Sequence, residues 1–85
     1  MARKPLGEDR HRLLFLAGGL EMELAPLLFL IFESKLYKII IDDLTGRGII
    51  GQSLVDMVKT DYGGSCIRAA EALEKRARTL LMKMQ

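Results

Sequence analysis

Eighty-five residues suit one domain, and a chain of that length hides only roughly 60% of the surface it exposes when unfolded. A single cysteine, Cys66, and a single histidine, His11, exclude an intrachain disulfide and a conventional zinc cage built from one chain, and they suggest a reducing, cytoplasmic setting. The net charge of +2 permits nucleic-acid binding without demanding it, whereas 49% hydrophobic residues are more than one small core is expected to hide, so a second copy or a protein partner is expected to complete that core.

Taken from the start, residues 1–8 read as a flexible polar tail, because Pro5 and Gly7 interrupt regular structure. Residues 9–85 read as a single helical domain. Asp9 suits an N-cap for a first helix over Arg10 to Leu24, since Leu13, Leu16, Ala17 and Leu20 follow the i, i+3, i+4, i+7 pattern of one helical face. Gly18-Gly19 weakens that helix by about 1 kcal/mol per glycine relative to alanine, as a close helix contact, a kink or a break into two pieces. The apolar stretch Leu13 to Phe32 is long enough to span a bilayer, but Glu21 and Glu23 in its middle and Pro26 beyond them argue against a membrane span. Glu21-Met22-Glu23 also stands where a signal peptide would need small residues.

Ala25-Pro26 reads as a junction, with Pro26 opening a second helix, where a missing N–H costs nothing. From Leu27 to Phe32 every residue is apolar, which predicts burial all round. Ser34, Lys38 and Asp42 then recur every four residues as one solvated stripe. Ile39-Ile40-Ile41 favours strand locally and leaves helix or strand open over residues 36–41. Thr45 to Gly48 is a turn, and a short helix follows over Gln52 to Thr60 with Leu54, Met57 and Val58 inward. Asp61-Tyr62-Gly63-Gly64 is the clearest turn of the chain. Ser65 caps a last helix whose inward stripe is Cys66, Ala70, Leu73, Ala77, Leu80 and Met84. Its outer face carries Glu71–Lys75 and Glu74–Arg78, spaced by four with the acid first. The expected fold is therefore all-α, three or four helices in a small bundle that completes its core as a homodimer.

Three patterns bear on function. Gly46-Arg47-Gly48-Ile49-Ile50-Gly51 matches the glycine spacing of dinucleotide-binding turns. Asp42-Asp43 and Thr45 stand where the incoming strand should be apolar, however, and no second strand follows, so a plain turn is the better reading and no cofactor is expected. Residues 54–78 form helix, glycine turn, helix. Used on DNA, that unit would place Arg68 at base edges, with Ser65, Lys59, Lys75 and Arg78 available to phosphate. Any αα-hairpin has the same outline, and cations on a last helix also complement its dipole. Third, the apolar run Leu27–Phe32 joined to Leu13, Leu16 and Leu20 makes a candidate partner surface, with Phe29 at its centre.

Nothing catalytic assembles. His11 lies among charges, Cys66 falls on an apolar stripe as a structural thiol, and Glu21 and Glu23 point to different sides of a helix. The expected function is that of a small non-enzymatic regulator or adaptor, with no small-molecule substrate, that binds a protein partner or itself through Leu13, Leu16, Leu20, Leu27, Phe29 and Phe32. The alternative is a dimeric helix-turn-helix regulator of DNA using Lys59, Ser65, Arg68, Lys75 and Arg78.

Overall fold

Two glycines decide the first fold event. In the computed structural model, which describes residues 7–84, the chain bends at Gly18-Gly19 and the long first helix becomes two. Helix α1 spans Gly7–Ala17 and α2 spans Glu21–Glu33. Gly18 has φ +54° and closes α1, its amide donating to the carbonyls of Leu14 and Phe15. A side chain there would be strained by backbone conformation alone. Of the expected tail, residues 1–6 lie outside the described part, while Gly7 and Glu8 belong to α1. Asp9 is consequently not a cap. It sits in the first turn, buried, accepting a 2.8 Å hydrogen bond from the Tyr37 hydroxyl.

Pro26 opens no helix; it lies inside α2. Its fixed φ is helical already, and the one hydrogen bond it forfeits belongs to the Met22 carbonyl four residues back. Met22 is 92% exposed, so water can serve that carbonyl. Two carboxylates in the first turn, Glu21 and Glu23, favour the helix dipole at an N-terminus with no side-chain cap.

The polar stripe expected through Ser34 is also redrawn. Ser34 is buried and extended, and it separates α2 from α3, Tyr37–Gly46. Its hydroxyl accepts from the Leu36 amide at 3.1 Å and donates to a Glu74 carboxylate oxygen at 2.7 Å. That one side chain ends α2, orders the entry to α3 and fastens the corner to the last helix. Ser34→Ala removes these bonds and should cost about 1–2 kcal/mol by thermal denaturation; an unchanged melting temperature would show that the corner is held by packing alone.

Residues 37–41 are helix, not strand. Ile40 and Ile41 are each 1% exposed. Burial of a β-branched side chain contributes roughly 1.5–3 kcal/mol, well above the fraction of a kcal/mol that helix propensity charges for it. Helix α4 is Gln52–Asp61 and α5 is Cys66–Met84, close to expectation. Ser65 caps α5 through the Arg68 amide at 3.2 Å. The buried stripe of α5 is Ala69, Leu73 and Ala77, strictly every fourth residue. Cys66, Ala70 and Leu80 are half-buried beside it, and Met84 is exposed. The small side chains let α5 lie close across α2 and α3, its main neighbours.

The five helices enclose one core, in which Leu16, Leu27, Leu44 and Leu54 are fully buried. Charged groups lash its outside. Arg12 pairs with Asp42, joining α1 to α3. Asp43 takes Arg76 from α5 at 2.7 Å and Arg47 from its own helix end at 3.1 Å. The Arg76 hydrogen bond to Asp43, reinforced by its charge, raises the guanidinium above its ordinary pKa. A raised base loses its contribution only as pH climbs through the folded value, so this link does not titrate at neutral or mildly alkaline pH. Of the two expected pairs on α5, Glu74–Arg78 forms at 2.7 Å; Glu71–Lys75 is not among the ion pairs of the described residues.

Candidate functional site

The geometry of α1 and α2 determines which apolar residues reach the surface. The last residue of α1 is joined to the start of α2 by three residues. The first turn of α1 reaches Tyr37 through Asp9, and the Tyr37 ring packs edge-on against Phe32 in the last turn of α2, centroids 4.9 Å apart. The two helices therefore run antiparallel, with a turn end at Gly18-Gly19 and an open end at Asp9 and Glu33.

Helix α2 buries Leu24, Leu27, Ile31 and Phe32. Its opposite side carries Met22, Ala25, Pro26 and Phe29, all exposed. These four stand at i, i+3, i+4 and i+7, which is one helical face. Met22 is 92% and Phe29 59% exposed; on α1, Phe15 is 58% and Leu14 43% exposed. The described chain is nonetheless tightly folded. Its radius of gyration is 12.0 Å, against about 12 Å for a compact chain of this length. The apolar excess is thus left on the outside of a finished core.

Of the residues expected to form a partner surface, Leu16, Leu27 and Phe32 are interior. Leu13 and Leu20 are half-buried against that interior, and Phe29 alone is on the surface. The exposed face is a different set from the expected one. Its spacing is present in the sequence, but placing a helix boundary at Ala25-Pro26 cuts the stripe in two and hides it.

The residues considered for DNA are distributed as follows. Arg68, Lys75 and Arg78 lie exposed along α5, spanning about 15 Å at 1.5 Å per residue. Arg78 is paired with Glu74, and the Ser65 hydroxyl is used as the cap. Lys59 is exposed at the end of α4 and lines an open cleft of about 300 Å³ with Glu23, Leu24, Val58 and Cys66. Cys66 is half-buried there, more open than a core thiol. Val58 and Ala69 are buried on the two sides of the turn, as any packed helix pair requires.

The glycine motif has a structural use. The apolar run before it is helix α3, which ends at Gly46. Gly51, at φ +58°, donates its amide to the Leu16 carbonyl at 2.9 Å, and its Cα faces Gly18. The backbone that would approach a pyrophosphate instead abuts the α1–α2 turn. His11 is exposed on α1, and no cluster of three or more His, Cys, Asp or Glu side chains suited to a metal ion gathers among the described residues. No helix among them is long and apolar enough to cross a membrane.

No protein-family model, curated protein or solved structure matches this chain.

Proposed function

We propose that this chain is a small non-enzymatic regulator or adaptor that acts by setting the α1–α2 face against an apolar protein surface, its own or another's. The observation that carries the reading is the stripe Met22, Ala25, Pro26, Phe29 along one face of α2, with Leu14 and Phe15 also exposed on the neighbouring α1, left uncovered by an otherwise well-packed fold. Large side chains exposed together on one face mark interaction sites, whereas scattered ones do not. Aromatic and methionine side chains are the types that dominate the buried centre of interfaces.

The DNA reading has less support. Of its five residues, Ser65 is spent on a cap and Arg78 on an ion pair, and Glu71 stands exposed among the rest.

The test is a photo-crosslinking residue at position 29, with position 60 on α4 as the control. The expected result is a polypeptide captured at 29 and not at 60, whose binding to the purified chain is lost in Phe29→Glu. That substitution should leave the helical circular dichroism unchanged and the unfolding free energy of the monomer within about 1 kcal/mol of the parent, because Phe29 is 59% exposed. Equal capture at both positions, or none at 29, would overturn the reading.

A further inference from the structure

We infer that the partner on this face is a second copy of the same chain, with α2 packed antiparallel against α2 about a two-fold axis passing between Ala25 and Pro26. The inference rests on the interaction-face reading above and goes on to name the occupant and its register.

The first support is the order of side-chain sizes along the stripe. It runs large, small, small, large: Met22, Ala25, Pro26, Phe29. Two helices that cross are nearest at the crossing point and diverge on either side. Small residues at the centre permit the close approach, and large residues fill the widening gaps. An antiparallel pairing centred between residues 25 and 26 sets each Met22 against the other copy's Phe29, a thioether against an aromatic ring. The same stripe thus serves as both halves of an isologous interface.

Charge selects the direction. The turn end of the face carries Glu21 and Glu23, and the open end carries Arg10 on α1 and Glu33 on α2, all exposed. None of these four enters an ion pair among the described residues, whereas Arg12 beside them is committed to Asp42. An axis along the helices would put every one of these charges against its own copy. An axis across them takes Glu21 and Glu23 of one copy away from their own counterparts and to the end of the other that carries Arg10 beside Glu33.

Area is sufficient. Met22, Phe29, Phe15 and Leu14 together expose on the order of 500 Å², taking roughly 150–250 Å² for a large side chain. Ala25, Pro26 and the stems of the flanking charges bring the face toward the roughly 800 Å² per partner of a standard interface.

Sedimentation equilibrium of the full chain over a wide concentration range is the test. The expected species are 9.6 kDa and twice that mass. Met22→Lys should weaken the dimer at least tenfold with the fold intact by circular dichroism. Arg10→Glu and Glu21→Arg should each weaken it several-fold, and combining the two in one chain should restore it. A single 9.6 kDa species at every concentration would overturn the inference, as would a dimer indifferent to Met22→Lys. A dimer tightened by Glu21→Gln would overturn the antiparallel direction. The crosslink at position 29 keeps the two readings apart. An adduct of two identical chains supports both; an adduct with a different polypeptide that binds the purified chain leaves the interaction face standing and removes the second copy.

Discussion

At a concentration low enough to keep the chain monomeric, Leu27→Ala is expected to cost about 2–5 kcal/mol in urea unfolding, while Phe29→Ala, two residues along the same helix, should cost less than about 1 kcal/mol. Leu27 is fully buried in the core, and Phe29 is 59% exposed. Truncating Leu27 removes its transfer free energy and leaves a cavity that α2 cannot close, because that helix is held at one end by the α1 turn and at the other by Ser34. The whole fold is worth about 4–13 kcal/mol at the usual 0.05–0.15 kcal/mol per residue, so this single change would unfold a large fraction of a marginal chain. The contrast between the two positions is the informative quantity. Equal losses would place Phe29 inside the core and remove the exposed face on which the proposed function stands.

Gly18→Ala is the second large effect, expected at about 3 kcal/mol. Two causes add. The backbone at φ +54° disfavours any side chain by roughly 1–2 kcal/mol. A Cβ would also sit 3.0 Å from the Gly51 Cα and 3.3 Å from an Ile50 methyl, and relieving such crowding typically costs 1–3 kcal/mol. Gly19→Ala is the internal control. It shares the positive φ, at +88°, but a Cβ there meets nothing within 4 Å, so it should carry the backbone cost alone. Chemical denaturation of the two variants separates crowding from conformation. If both lose the same amount, the approach of the α1–α2 turn to the turn before α4 is looser than described, and Gly51 is free of its role as a packing surface.

The Ser34 corner and the Gly18–Gly51 crossing share one design. Each brings segments that are distant in sequence into contact through a very small group, a hydroxyl in one case and two hydrogen atoms in the other. Neither leaves a mark on hydrophobic periodicity. Ser34 has the spacing of a solvated stripe, and Gly46-Arg47-Gly48-Ile49-Ile50-Gly51 has the spacing of a phosphate-binding turn. Local pattern misplaces Ser34 and shows the glycine run only as a turn, without the contact it makes, because each residue's partner lies well outside any helical window.

The candidate face was legible only in part. Phe29 stands out in sequence because it sits in an all-apolar run, but a run buried on one side and exposed on the other looks the same as one buried all round. Met22, Ala25 and Pro26 carry a proper helical spacing with Phe29, yet a proline ordinarily argues for a helix start, and the stripe disappears once the helix is divided there. What makes Pro26 acceptable inside α2 is that the carbonyl it abandons belongs to Met22 on the solvent side, and that depends on how the helix is rotated against its neighbours.

By itself the amino-acid sequence determined the helical class, the breaks after α3 and α4, though the turns begin at Arg47 and Tyr62 and not at Thr45 and Asp61, the start of α5 at its serine cap, and the presence of more apolar residues than one small core needs. These follow from short-range physics: side-chain spacing, backbone freedom at glycine, and hydrogen bonds between near neighbours. Tertiary structure decided that the first helix is two, that three isoleucines in a row are helical, that Ser34 and Asp9 are interior, and which apolar residues remain outside. Those outcomes depend on where each helix points its faces once the others are in place. Burial free energy, summed over a whole helix, outweighs the fraction of a kcal/mol by which any one residue prefers a local conformation.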